Sequence, residues 1–183
     1  MKYYHVSTRL SAGTTIHPYD KPFSVWSDYS YKCAVSNEQE LFDVLSFLKS
    51  STVFNDTGRT PEKWLCEILF ENVRRSRFNN HANRIYGTYL CGSIKDAEMF
   101  NEKYRENKAK IFMVELSETV PFYDMHLFTK AQELIESAYS QAGIYTQIVR
   151  LAIDYWEGCN NDAIIEKEYI YDKDLVLGKE IRK

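Results

Sequence analysis

The stretch Lys2-Tyr3-Tyr4-His5-Val6-Ser7-Thr8 decides how the rest of the chain is interpreted. Its aromatic and β-branched side chains predict a strand, because such residues fit the pleated surface of a sheet. The strand carries a histidine in its middle and hydroxyl residues just after it. A histidine in an apolar strand is usually structural, so a packing role is the alternative to a functional one.

Two later stretches also predict strands with one distinctive residue each. Gly87-Thr88-Tyr89-Leu90-Cys91 ends a predicted strand over 84–91, and a helix containing Asp96-Ala97 follows. Glu168-Tyr169-Ile170-Tyr171-Asp172 lies in a predicted strand over 164–171. Because glutamate is disfavoured inside strands, Glu168 is either a charge that points to water or a functional group. Tyr89, one of fourteen tyrosines, is either a core residue or part of a ligand site.

Helices are predicted between these strands. Asn37 and Thr60-Pro61 are helix-start signals for helices over 38–49 and 61–75, and Ser93 begins a third helix. We expect this third helix to turn inward the side chains of Ile94, Ala97, Phe100 and Tyr104. The pattern predicts one or two helices over 127–157, broken at Gly143. It also predicts strands over 110–116 and 175–181 and an irregular loop over 17–36. Strands at both ends with helices between them indicate an α+β domain.

Composition limits the kind of protein. The 183 residues, of which 44% are hydrophobic, predict one globular domain over 1–183. No run approaches the ~20 apolar residues that span a bilayer, and no signal peptide is predicted, so we expect a cytoplasmic protein without membrane contact. The four cysteines occur singly, which argues against a zinc site, and we expect no metal. A net charge of -3 gives no overall footprint for nucleic acid.

In chain order, the three distinctive strands resemble the His, Tyr and Glu motifs of ADP-ribosyltransferases that bind NAD like diphtheria toxin and the poly-ADP-ribose polymerases. His5 followed by hydroxyl residues is similar to the family's His-Gly-Ser start. Gly87, Tyr89 and Ala97 match its glycine–tyrosine–alanine pattern, and 168–172 resembles its catalytic strand. The resemblance implies a split β-sandwich of two small sheets flanked by helices, within the α+β class.

The resemblance also implies roles for these residues, with NAD as the substrate. His5, together with Ser7 or Thr8, would hydrogen-bond the adenosine-side ribose. Tyr89 would stack on the nicotinamide ring, because a flat amphiphilic ring holds another aromatic face. Glu168 would stabilise the oxocarbenium ion that forms as the glycosidic bond breaks.

Further positions take secondary roles in the same interpretation. Val6 stands where many relatives have glycine, and its backbone would contact the nicotinamide carboxamide. Tyr86 is the alternative stacking residue. Arg84 and Arg9 would pair with the pyrophosphate, because guanidinium forks match phosphate oxygens. Glu166 would be a second acid, since alternation places it on the same strand face as Glu168.

An Arg74-Arg75 run precedes Arg84, as in an uncharacterised bacterial branch of this fold. The simpler explanation for Arg74 and Arg75 is a solvated helix end that the helix dipole favours.

The resemblance implies a mono-ADP-ribosyltransferase that releases nicotinamide and passes ADP-ribose to a macromolecular acceptor, protein or nucleic acid. Such an enzyme would suit a bacterial or phage toxin, an effector or a defence protein, and an inhibitory partner protein would suit it as well. Three alternatives stay open. The first is an RNA 2′-phosphotransferase-like enzyme, against which the acidic balance and Glu168 count. The others are an NAD glycohydrolase, with water as acceptor, and a binding module of the same fold without activity.

Overall fold

The structure, a computed structural model, describes residues 1–19, 32–51, 60–138 and 141–182. Within these ranges it contains eight strands and five helices. They are β1 (Lys2–Ser7), β2 (Thr15–Ile16), α1 (Glu38–Ser50), α2 (Pro61–Arg77), β3 (Thr88–Leu90), α3 (Ile94–Arg105), β4 (Lys110–Glu115), β5 (Phe122–Asp124), α4 (Met125–Ala138), α5 (Ile144–Glu157), β6 (Lys167–Tyr171), β7 (Leu175–Val176) and β8 (Glu180–Arg182). The predicted α+β class is confirmed. Most of the predicted loop, residues 20–31, lies outside the described part.

The helices begin where local signals predict them. The Asn37 side chain accepts a hydrogen bond from the Glu40 amide at 3.0 Å, and the Thr60 hydroxyl accepts one from Lys63 at 3.2 Å. Both bonds satisfy an amide that a helix start otherwise leaves without a partner. Gly143 adopts a left-handed φ of 83° before α5, so the predicted break at this residue is confirmed.

Helix α3 differs from the prediction in the face that it buries. Ala97 is fully buried, but Ile94 is 37% exposed and Tyr104 is 38% exposed, so the inward placement of these two was wrong. Asn101 takes an inward place instead, because its side chain exchanges two hydrogen bonds with the backbone of Ala109. A polar side chain with both amide groups matched can be buried on a face that periodicity assigns to apolar residues.

The predicted strand over 84–91 is shorter in the structure, where only Thr88–Leu90 pair as β3. The Asn83 side chain accepts hydrogen bonds from the amides of Ile85 and Tyr86 at 2.8 and 3.2 Å. This local turn takes two amides that a strand would give to its neighbour. The prediction for 84–87 was therefore wrong, and the chain turns there before β3 begins.

All described strand pairs are antiparallel, in the orders β1-β4-β8, β3-β6-β5 and β2-β7. A single bridge joins the first two sheets, where the amides and carbonyls of Tyr4 and Cys91 exchange hydrogen bonds of 3.0 and 2.8 Å. Strand β1 therefore lies between β4 and the end of β3. This places the first strand of the chain beside the middle strand that carries Tyr89.

Strand β6 separates two hydrophobic cores. Tyr169 and Tyr171 pack against a core between the sheets, which includes Tyr3, Leu90, Phe112, Val114 and Leu175. On its other face, Ile170 belongs to a larger core built mainly by α1, α2, α4 and α5. Because side chains alternate along a strand, Glu168 shares the face of Ile170 and points toward the helices.

Candidate functional site

Strands β1, β3 and β6 bring the three motif residues into one neighbourhood. Strand β1 touches β3 at the Tyr4–Cys91 bridge, and β3 pairs with β6 so that Tyr89 lies opposite Ile170. The Nδ1 atom of His5 lies 3.0 Å from the Tyr89 carbonyl oxygen, within hydrogen-bond distance. His5, far from Tyr89 in sequence, thus contacts the backbone of the residue proposed to stack on the ligand.

The Tyr89 side chain stabilises the turn of the backbone that precedes β3. Its hydroxyl donates a hydrogen bond of 2.9 Å to the carbonyl of Arg84, and its ring centroid lies 5.4 Å from the Arg84 guanidinium carbon. A Cβ atom at Gly87 would lie 2.5 Å from both the Asn83 carbonyl oxygen and a methyl group of Ile170. Close packing of the turn against β6 therefore gives the glycine–x–tyrosine pattern a structural cause.

Arg84 is the centre of the site. It is only 3% exposed, and its guanidinium donates to Glu67 on α2, to Tyr155 on α5 and to Glu168 on β6. The bonds from Nε to Glu67 Oε2 and from Nη1 to the Tyr155 hydroxyl measure 3.0 and 2.6 Å. The guanidinium carbon also lies 4.0 Å from the centroid of the Phe128 ring, a cation–π contact.

Two carboxylates keep this buried guanidinium charged. Burial disfavours the charged form, but the carboxylates of Glu168 and Glu67 together outweigh it, so the pKa of Arg84 is raised well above its usual value. Burial also raises the pKa of Tyr155 well above its usual value. Tyr155 is therefore a neutral hydroxyl donor, and Arg84 is a permanent cation.

Glu168 is held through one of its two oxygens. Its Oε1 accepts a hydrogen bond from the Tyr155 hydroxyl at 2.7 Å and another from Nη1 of Arg84. Within the described residues, every hydrogen bond to this carboxylate ends on Oε1. The residue is 8% exposed, so a small part of it still reaches the surface. Oε2 is the oxygen that remains for another partner.

The hydroxyl residues after His5 have local roles. The Ser7 Oγ accepts hydrogen bonds from the amides of Arg9 and Leu10 at 3.2 and 3.3 Å, which forms the turn after β1. Thr8 and Arg9 are exposed in that turn. Val6 pairs with Ile111 of β4. The structure thus places Thr8 and Arg9 at the surface and uses Ser7 to shape the backbone that presents them.

Arg84 and Glu166 do not lie where their predicted roles require. A pyrophosphate contact needs guanidinium donors that reach a ligand, but those of Arg84 are buried and bonded to Glu67, Tyr155 and Glu168. Glu166 precedes β6, is half-exposed and bonds Lys103 at 3.0 Å, whereas Glu168 is buried. The predicted pairing of these two glutamates on one strand face is therefore wrong.

Tyr86 and Arg74 complete the predicted positions. The Tyr86 ring lies 5.5 Å from that of Tyr19, which is 61% exposed, so this pair offers aromatic surface near the turn. Arg74 is only 7% exposed and bonds Glu71, so the prediction of a solvated helix end was wrong for this residue. It is buried because helix α2 carries its own buried carboxylate one turn earlier.

Sequence reasoning missed Glu67 and Tyr155 as members of the site. Glu67 is 1% exposed on α2, between the apolar residues Trp64 and Ile68 of the helical stripe. A charge within such a stripe was a usable signal, since buried carboxylates require a partner. Tyr155 continues the apolar face of α5, which is typical of a packing residue, although a buried phenol hydroxyl also needs a hydrogen-bond partner.

Neither of two surface cavities is lined by His5, Arg84, Tyr89 or Glu168. One cavity of about 410 Å³ lies beside α3, and one of about 150 Å³ lies near Tyr171 at the end of β6. In the part of the chain that the structure describes, no cluster of three His, Cys, Asp or Glu side chains could hold a metal ion. No helix in the same part is both long and apolar enough to cross a membrane.

Comparison with known sequences relates the chain to a protein family. No curated protein matches the chain in sequence. The sequence profile of a family described as "Protein of unknown function (DUF2441)" matches residues 3–182, which include His5, Arg84, Tyr89 and Glu168. Because the match covers nearly the whole chain, this protein belongs to the family of proteins of unknown function DUF2441.

Proposed function

We propose that the protein is an NAD-dependent mono-ADP-ribosyltransferase that transfers ADP-ribose to a macromolecular acceptor. One observation carries the proposal. His5, Tyr89 and Glu168 come from three distant places in the sequence, yet they form one connected group. His5 contacts the Tyr89 carbonyl, the Tyr89 hydroxyl bonds the Arg84 carbonyl, and Arg84 bonds Glu168.

The arrangement of the sheets also supports the proposal. Two three-stranded sheets enclose a hydrophobic core, and helices cover the outer face of β6. This agrees with the split β-sandwich that the sequence resemblance implies. Fold alone does not fix function, so the argument rests on the residues of the site.

The proposed reaction breaks the bond between nicotinamide and C1′ of its ribose. The bonding electron pair leaves with nicotinamide, which departs neutral, and the sugar becomes an oxocarbenium ion. The acceptor then forms a bond to C1′ and releases its proton. A fixed carboxylate such as Glu168 stabilises the positive sugar because the protein dipoles need no reorganisation as the charge develops.

The remaining groups would bind the ligand around this carboxylate. His5 would contact the adenosine-side ribose, and Tyr89 or the half-buried Tyr86 would stack on nicotinamide. Arg9, exposed in the turn after β1, would pair with the pyrophosphate in place of Arg84.

The experiment that tests this proposal is incubation with labelled NAD in a bacterial lysate, with nicotinamide release followed in parallel. We expect the wild type to label a macromolecule, and Glu168→Gln to lose about 100-fold or more of the rate, as for loss of a transition-state charge partner. Glu166→Gln is the matched control, because the Glu166 side chain is half-exposed and bonds Lys103 at the surface. It should stay within about twofold of the wild type.

The outcomes separate the candidate reactions. Label removed by protease or by nuclease identifies protein or nucleic acid as the acceptor. Nicotinamide without label indicates an NAD glycohydrolase. No nicotinamide and no label from the wild type would show that the proposal is wrong.

The burial of Glu168 favours a second candidate, a binding module of the same fold without catalytic activity. A buried, ion-paired carboxylate can serve the fold alone. This candidate predicts that Glu168→Gln changes stability and leaves NAD chemistry absent in both proteins.

A further inference from the structure

We propose that Arg84 and Tyr155 are positioning residues for Glu168, which hold its Oε1 so that Oε2 meets the ribose of the ligand. The inference rests on the proposed function and extends it to residues that touch no substrate. It also assigns a role to Glu67, which holds Arg84 in place and neutralises part of the positive charge of Arg84.

The first argument is the convergence of two donors on one oxygen. Nη1 of Arg84 and the hydroxyl of Tyr155 both donate to Oε1 of Glu168, and the same Nη1 donates to the Tyr155 hydroxyl at 2.6 Å. The three groups form a closed triangle of hydrogen bonds. A carboxylate held in this way at one oxygen has little freedom to rotate, so the direction of its other oxygen is fixed.

The second argument is that Arg84 is itself immobilised. Its Nε and Nη2 atoms donate to the two carboxylate oxygens of Glu67 at 3.0 and 3.4 Å, and its guanidinium packs over Phe128. Its carbonyl accepts the hydroxyl of Tyr89. Both the side chain and the backbone of Arg84 are therefore held, which makes it a rigid support for Glu168.

The third argument concerns charge. One guanidinium paired with one carboxylate would neutralise it and weaken its attraction for a sugar cation. Here Arg84 pairs with two carboxylates, so the three side chains of Arg84, Glu67 and Glu168 together carry one net negative charge when both carboxylates are ionised. Glu67 thus allows Arg84 to hold Glu168 in place without cancelling the charge that the reaction needs.

The main test is Tyr155→Phe, which removes one donor to Oε1 but keeps the ring that stacks on Tyr123 with centroids 5.0 Å apart. We expect kcat for nicotinamide release to fall about tenfold, while the KM for NAD stays within about twofold. Tyr145→Phe is the matched control. It removes a hydroxyl from the same helix, where it bonds the Val35 carbonyl at 3.4 Å, and should leave both constants within about twofold.

Glu67→Gln provides a second variant with a different prediction. It keeps a side chain of the same shape beside Arg84 but leaves one guanidinium facing one carboxylate. We expect kcat to fall about tenfold at unchanged KM.

A double-mutant cycle separates positioning from a structural role. In the Glu168→Gln background, where the carboxylate is absent, Tyr155→Phe should have little further effect on kcat. A structural role would instead lower the activity of both backgrounds by the same factor.

Each outcome decides between the hypotheses. If Glu168→Gln is inactive but Tyr155→Phe and Glu67→Gln retain the wild-type kcat, the positioning inference is wrong and the proposed function stands. If the wild type releases no nicotinamide, the proposed function is wrong and the inference falls with it. If Tyr155→Phe does not fold, Glu67→Gln alone decides by the same kcat criterion.

Discussion

Helix α2 carries two buried glutamates one turn apart, and the ion pairs that they form differ in kind. Glu71 bonds Arg74 of the same helix through both oxygens, at 2.9 and 2.7 Å. The remaining Nη1 of Arg74 donates to the carbonyls of His81 and Asn79, at 2.9 and 3.3 Å. This pair is local, and its carboxylate oxygens and guanidinium nitrogens are matched.

In the ion pair of Glu71 each carboxylate oxygen has its own donor on one guanidinium, and we call this pair closed. The ion pair of Glu67 shares its guanidinium with a second carboxylate, and we call this group open. Arg84 serves two carboxylates from different elements, and Glu168 uses one oxygen for both of its bonds within the described residues. The closed pair stabilises the C-terminal end of helix α2. An open group with excess negative charge costs stability, and proteins accept such costs mainly at functional sites.

Breaking the closed pair should have the largest effect on stability. Arg74→Met leaves the Glu71 carboxylate buried without its guanidinium and two carbonyls without a donor. We expect the free energy of unfolding to fall by about 3–5 kcal/mol, measured by urea denaturation. Adding Glu71→Leu should restore part of this loss, because the unpaired buried charge is then removed. A loss below about 1 kcal/mol for Arg74→Met would contradict the structural role of the pair.

Neutralising one carboxylate in each pair gives a smaller and sharper comparison. Glu71→Gln replaces one of the two acceptor oxygens that bond Arg74 by an amide donor, so we expect a loss of about 2 kcal/mol. Glu168→Gln leaves Arg84 paired with Glu67 and relieves the excess charge, so its loss should not exceed about 1 kcal/mol. Equal losses for the two variants would show that the groups do not differ as proposed.

The local signals in the sequence account for most of the helices. Asn37, Thr60 and Ser93 each cap a helix through a bond within three residues, and such bonds can be predicted from sequence alone. Strands depend on distant partners, so β2 and β5, of two and three residues, were not predicted. The turn at Asn83 replaced part of a predicted strand, because a side chain competed for the backbone amides.

The site was predicted only in part for a similar reason. His5, Tyr89 and Glu168 were chosen from short motifs, and the structure brings their strands together. The burial of Arg84 could not be predicted, because it depends on a helix that supplies Glu67 and a strand that supplies Glu168 on either side. Only tertiary packing determines that a guanidinium at the first residue of a predicted strand faces inward.

His81, which lies beside the closed pair, should make the stability of the protein depend on pH. Burial, and then the charge of Arg74, lower the pKa of His81, whose Nδ1 lies 3.3 Å from the Tyr123 hydroxyl. As pH falls below about 6.5, the unfolded chain binds this proton before the folded protein does, so stability falls. We expect the drop in Tm between pH 7.5 and 5.5 to be smaller in His81→Asn than in the wild type.

The direction of this pH dependence is specific to His81. Burial raises the pKa of Glu71, so protonation of that group favours the folded state as pH falls and acts in the opposite direction. A Tm drop that is as large in His81→Asn as in the wild type would assign the change to other groups.

The smallest effect is expected for an exposed pair, which sets the baseline for the buried ones. Arg150 bonds Asp154 at 3.0 Å on the surface of α5, and its side chain is 70% exposed. Arg150→Ala should change the free energy of unfolding by no more than about 0.5 kcal/mol, because solvent screens such pairs. A larger change in urea denaturation would indicate that helix α5 depends on its surface charges.

The bridge between Tyr4 and Cys91 bears on how the protein is made. Strand β1 is synthesised before the other strands that the structure describes, yet it pairs with β4, where Tyr3 lies opposite Val114. At the usual pace of translation, roughly 5 to 20 seconds separate the synthesis of Tyr3 from that of Val114. Throughout that interval the aromatic stretch Lys2–Ser7 lacks its partner strand β4, and unpaired strand edges favour aggregation. The strand that carries His5 therefore pairs with β4 only after more than half of the chain has been synthesised.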